Sequence, residues 1–256
     1  MDLVFFVVLG FLAQLVDGAL GMGFGVITTS FLLGFGIAPA SASAAVHVAK
    51  VVTGGASGIS HAMFGNVDRK LALRLVAAGM IGGVIGAYLL VSVDGQKVKP
   101  FIAVYLLLMG LLILRKALRP TAATSGHRAV VPLGFVGGLL DAIGGGGWGP
   151  IVTSTLIAGG TTARIAVGSV NLAEFAVAVA ISVAFFATIG FGYWRIIAGL
   201  VIGGIVAAPL AAYLSKRISA RPMLIAVGIC IVLLSCFTIT ETVLDTSYLE
   251  SLGIRQ

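Results

Sequence analysis

The chain contains one of its own segments twice, and the repeated segment carries charge inside apolar sequence. Asp17, in G-F-L-A-Q-L-V-D-G-A-L-G-M-G-F-G, returns 124 positions later (141 − 17) as Asp141, in G-F-V-G-G-L-L-D-A-I-G-G-G-G-W-G. At that offset Gly10, Phe11, Leu15, Gly21, Gly23, Gly25, Ile27, Thr29 and Ser30 each meet their own residue type. The register holds for about forty residues, so that Lys50 corresponds to Glu174 and His47 to Asn171. Any fold for this chain must therefore supply two equivalent halves. A glycine-broken apolar segment in each half is the pattern of a protein whose site lies between the copies.

The apolar context is membrane-like. Charged residues make up 10% of the chain, against about 25% in soluble domains, and hydrophobic residues make up 59%. Eight apolar segments follow one another, at 3–36, 42–64, 71–93, 100–118, 130–160, 166–189, 195–215 and 222–240. Most are long enough to cross a hydrocarbon core of ~30 Å as a helix. The fold class expected is an all-α polytopic membrane protein. The Met1-Asp2 start lacks a basic stretch, so no cleavable leader is expected. The net charge of +7 reads as cytoplasmic loop charge rather than affinity for nucleic acid. Cys230 and Cys236 share the last apolar segment and read as small core residues, without disulfide or metal spacing.

The first and fifth segments are too long for one simple span. They are cut at Gly21-Met22-Gly23-Phe24-Gly25 and at Gly144-Gly145-Gly146-Gly147-Trp148-Gly149-Pro150. Such runs break a helix, and broken backbone at membrane depth survives only where protein or water covers it. Basic residues choose between a crossing and a hairpin. If every segment crosses once, Lys and Arg divide nine against six. If the first and fifth segments turn back, Arg69, Lys70, Arg74, Arg115, Lys116, Arg119, Arg128, Arg164, Lys216, Arg217 and Arg221 share one side. Only Lys97, Lys99, Arg195 and Arg255 then lie on the other. Eleven against four fits the excess of positive charge in the cytoplasm far better. Each half then holds one re-entrant hairpin and three spans, and an odd number of spans inverts the second copy. The expected organisation is a first repeat at 1–120, a cytoplasmic linker at 121–129, a second repeat at 130–240 and a tail at 241–256. Both termini are expected outside the cytoplasm. Gly82, Gly83, Gly86, Gly203 and Gly204 read as close-packing positions between helices.

Three sets of residues are candidates for chemistry. The tip glycines Gly21, Gly23, Gly25, Gly145 and Gly147 leave backbone N–H groups accessible at the start of a second half-helix, where an anion is favoured. Trp148 at the second tip is either a gate or packing. His47, Lys50, Gly54, Ser57 and His61 stand at steps of 3, 4, 3 and 4, one stripe along a helix. A lysine inside such a helix must meet an acid or an anionic substrate. The acids available are Asp17, Asp141 and Glu174. Asp17 and Asp141 either cap the hairpins or exchange protons, and Glu174 either pairs with Lys50 or relays protons. Asn171 is a candidate to bond a ligand oxygen. No nucleophile motif, zinc motif or nucleotide loop occurs, so neither an enzyme, a cofactor nor a metal is expected.

On these residues the chain resembles the TauE/SafE family of anion exporters. The resemblance rests on Asp17 to Gly25, on Asp141 to Gly149, and on the helix that follows each, Ser43 to Lys50 and Val167 to Glu174. It implies a secondary transporter that exports sulfite or organosulfonates such as sulfoacetate, in a prokaryotic cytoplasmic membrane. The residues by themselves indicate only a small anionic substrate and a lipid bilayer as partners. They leave open a passive channel, a carrier of another small anion, a cation or amino-acid carrier, and a homo-oligomer.

Overall fold

Two pairs of glycines set the architecture. Gly21 and Gly23 hold φ angles of 67° and 132°, and Gly145 and Gly147 hold 65° and 145°. Residues with a Cβ rarely adopt such angles. In the computed structural model, which describes residues 3–118, 129–190, 192–214 and 220–251, each pair ends one helix and starts another. Helix α1 (Leu3–Leu20) gives way to α2 (Phe24–Gly34), and α6 (Val130–Gly144) gives way to α7 (Gly149–Ala158). The first turn of α7, Gly149–Thr153, is π-helical around Pro150, which has no N–H to donate.

At both breaks the chain turns back. The Phe5 ring, near the start of α1, lies 5.1 Å from that of Phe35 and 6.4 Å from that of Phe31 at the end of α2. Collinear helices of these lengths would separate those rings by roughly 40 Å. In the second copy a Cβ on Gly137 of α6 would lie 2.5 Å from Val152 of α7. Length alone would let α1 cross a bilayer, but the return of α2 makes the pair a hairpin.

Three longer helices follow each hairpin: α3 (Pro39–Met63), α4 (Arg69–Ser92) and α5 (Gly95–Leu118), then α8 (Ala163–Ile189), α9 (Trp194–Leu214) and α10 (Ala220–Ser251). Pro39 opens α3, where its missing N–H costs nothing. Asp68 caps α4 by accepting from the N–H groups of Lys70 (2.9 Å) and Leu71 (3.1 Å). Among the described residues every regular element is helical, and five stretches are long and apolar enough to cross a membrane.

The copies pack reciprocally. Helix α1 runs along α9, and its counterpart α6 runs along α4; α3 packs on α8 and α5 on α10, like against like. Glycines permit both seams. A Cβ on Gly10 would lie 2.5 Å from the Leu200 carbonyl oxygen, and one on Gly86 would lie 2.5 Å from that of Leu139. Gly82 and Gly203 face Phe135 and Val7 backbone still more closely. The small residues thus bring backbones into contact, as close packing in lipid requires.

The expected linker at 121–129 lies outside the described residues apart from Ala129, as do Arg119, Arg128, Lys216, Arg217 and Arg255 from the charge count. Within the expected tail, helix α10 continues through Ser251. Cys236 is exposed on α10 and Cys230 is half-buried, so neither is a fully buried core residue; both thiols are free.

Candidate functional site

Each hairpin is tied at its tip by its own acid. Asp17 Oδ1 accepts the N–H of Phe24 at 3.1 Å, and Asp141 Oδ1 accepts the N–H of Trp148 at 3.1 Å. The spacing is seven residues in both copies. A carboxylate there satisfies an orphan donor and meets the positive end of the returning helix. Both acids thus accept the N–H that opens the returning helix.

The two tips then meet. A Cβ on Gly25 would lie 2.6 Å from the Gly146 Cα, so the backbones touch where those residues have no side chain. Two threonines stitch the contact reciprocally. Thr29 donates its hydroxyl to the Gly145 carbonyl at 2.7 Å, and Thr153 donates to the Gly21 carbonyl at 3.3 Å. Tyr105 donates to the Gly146 carbonyl at 2.8 Å, and Ser43 to that of Ala142 at 2.6 Å. Gly23 and Gly147 hold the left-handed turns just before the returning helices. Trp148 is fully buried, against Gly79, and donates its indole N–H to the Val170 carbonyl at 3.3 Å.

Beside this crossing lies a buried charge network. Lys50 Nζ donates to Asp141 Oδ1 at 3.2 Å and Oδ2 at 3.0 Å, and stands 2.5 Å from Glu174 Oε1. His47 Nε2 lies 3.1 Å from Asp141 Oδ2, while its Nδ1 lies 2.8 Å from the Ser43 carbonyl oxygen. Both ring nitrogens thus lie against oxygens of the protein. Asp17 has no cation in direct contact among the described residues but lies within electrostatic reach of Lys50 and Asp141. Asn171, at the position equivalent to His47, is 1% exposed, and its amide Nδ2 has no hydrogen-bond partner among the described residues. Of the helical stripe, His47 and Lys50 are buried here; His61 is half-buried at the far end of α3, where its Nδ1 lies 3.3 Å from Asn66 Nδ2.

The two ends of the α3–α8 pair differ. At one end Arg164 of α8 donates to the Asn66 side chain and, at 3.1 Å, to the Phe64 carbonyl. The Asp68 N–H donates to Ser169 at 2.8 Å, and Gly168 lies against Asn66 backbone. At the other end the equivalent positions are Ala40, Ala45 and Ala44. A cleft of about 400 Å³, including its open mouth, lies there between Ala44, Val48, Phe186 and Tyr193. Phe185 also lines it, and its ring centroid is 6.4 Å from that of His47. The polar clamp was not anticipated from the sequence, since it joins residues about a hundred positions apart. Thr29 and Thr153 were visible only as identities within the repeat.

Hairpins meeting between two copies, with ion pairs at their crossing and a cleft leading toward them, define a polytopic helical membrane transporter. The comparisons agree. The family model described as sulfite exporter TauE/SafE matches residues 6–238, and the chain belongs to that family. It is 42% identical over 256 residues to the "Probable membrane transporter protein YtnM" of Bacillus subtilis (strain 168), covering 96% of this chain and 85% of that protein. No solved structure matches it. The chain is thus an integral membrane transporter, not an enzyme, with a small substrate and a bilayer as its partners.

Proposed function

We propose that this chain exports a small sulfur oxyanion, sulfite or an organosulfonate such as sulfoacetate, across a prokaryotic cytoplasmic membrane by alternating access. The two repeats are inverted in this reading, with both termini outside. Lys50 and His47 attract the anion and Asn171 adds a donor; the tip glycines, packed against the opposite tip, Thr29 and Tyr105 rather than open to a ligand, bring the two helix starts together beside that site. Asp17 and Asp141 hold those starts in place. The observation that carries the reading is the ammonium of Lys50, 5% exposed, at the crossing of two hairpins. The family match supports the substrate class.

One clamped end and one open end support a carrier rather than a continuous pore. The clamp residues Arg164, Asn66 and Asp68 lie beside Arg69, Lys70 and Arg74, on the side that the charge count assigns to the cytoplasm. The clefted end then faces outward. Lys50→Ala tests the site: uptake of sulfoacetate and sulfite into inside-out vesicles falls to background, while the amount of protein in the membrane is retained. Transport at the original rate in that variant removes the ammonium from the site.

A further inference from the structure

We propose that Glu174 is a proton acceptor that couples transport to protons: an anion reaching Lys50 displaces the Glu174 carboxylate, which takes up one proton from water. Anion and proton then cross together. This rests on the anion-export reading above and adds its coupling ion.

Lys50 is 5% exposed, and its ammonium is engaged by the Asp141 carboxylate, whose two oxygens share one donor, and by Glu174 Oε1. An anion that comes into contact with this buried ammonium competes with one of the two carboxylates. Asp141 is held by the Trp148 N–H and by His47 as well as by Lys50. Glu174 has Lys50 as its only hydrogen-bonding or ion-pair partner among the described residues. It is the partner free to go.

What surrounds Glu174 decides its state once it leaves. Helix α3 presents Lys50 and His47, α1 presents Asp17 and α6 presents Asp141; the α5 phenol, Tyr105, is engaged with the Gly146 carbonyl. Lys50 and His47 thus face three carboxyl groups, and an incoming anion adds negative charge to a site already crowded with acids. A proton on the freed Glu174 offsets one charge without any new cation. Asn171, one helical turn before Glu174 on the same stripe of α8, holds a buried amide donor without a partner among the described residues. That donor fits an oxygen of the incoming anion. A dianion carried with one proton leaves as one net negative charge, which an inside-negative potential still drives outward.

The test is binding by the purified full chain in detergent, with sulfoacetate and methanesulfonate as probes, whose charges stay fixed between about pH 6 and 8. In weakly buffered solution each bound anion should take up close to one proton. Affinity should rise about tenfold per unit fall in pH, by linkage. Glu174→Gln should bind both probes with no proton uptake and no dependence on pH. Binding by the native chain without proton uptake overturns the coupling and leaves the anion site standing. Undiminished uptake by Glu174→Gln overturns the assignment to Glu174. If neither these probes nor sulfite binds the native chain, the anion-export reading falls and the coupling falls with it.

Discussion

The two hairpin tips have the same backbone and different charge company. Asp17 and Asp141 cap the same position at the same distance, 3.1 Å, beneath glycines with closely matching φ angles. Yet Asp141 is bonded to Lys50 and His47, whereas α8 presents Glu174 and Asn171 at the positions equivalent to them. The repeat has kept the device that builds a hairpin and changed the charges beside it. Capping is therefore what both copies share, and ion pairing is what one copy adds. The two can be separated by mutation.

Asp141→Ala against Asp17→Ala is the sharpest separation and should give the largest difference. Removing Asp141 takes the cap, the His47 contact and half the pairing of Lys50, in a site that is fully buried. Breaking a buried ion pair costs about 3–5 kcal/mol. Removing Asp17 takes a cap without a directly bonded cation, a loss of about 1–2 kcal/mol. Thermal unfolding in detergent, followed by tryptophan fluorescence, should show the first variant much the less stable. Equal losses would mean that the pairing around Asp141 contributes no net stability.

The next effect concerns what the tips share. Gly146→Ala places a Cβ against the Gly25–Val26 backbone, which has no flexible end to move aside. Overpacking of this kind costs about 1–3 kcal/mol, and transport should drop with it because the tips must separate. Gly54→Ala is the control. Its Cβ meets nothing within 4 Å, and alanine favours helix by about 1 kcal/mol. If both variants transport and unfold alike, contact between the tips is not a constraint.

How far the sequence discloses these features depends on their range. Helix breaks are local: glycine runs and the basic-residue count expose both hairpins, and the apolar runs locate the remaining six helices. Packing glycines are semi-local, since Gly82 and Gly86 or Gly203 and Gly204 mark a face without naming its partner. Pairing is not local at all. Burial in an apolar helix demands that Lys50 meet an acid or an anionic substrate, and the repeat aligns it with Glu174, but nothing along the chain says that Asp141 also reaches it from 91 positions away. The same holds for Arg164 and Asn66, two ordinary polar residues until the fold brings them together. The end of α10 fails for another reason: the apolar run stops near 240, while the helix continues through polar residues to Ser251, and hydropathy sees only the first.

The smallest expected change in stability lies at the clamp, where the second comparison can be tested. Arg164 is exposed, so losing its bonds to Asn66 and Phe64 should cost about 1 kcal/mol. That is little for the fold but enough to shift an equilibrium between closed and open ends about fivefold. The position to watch is Ser169, 0% exposed behind the clamp. A cysteine placed there should react slowly with a membrane-impermeant thiol reagent added to inside-out vesicles, and several-fold faster when Arg164→Ala is added. The Cys230 and Cys236 thiols are replaced by serine beforehand, so that the signal is that of residue 169. An unchanged rate would mean that the two ends differ only in packing and that Arg164 latches nothing. A rate raised by Arg164→Ala and lowered again by bound sulfoacetate would tie the latch to the site at the crossing.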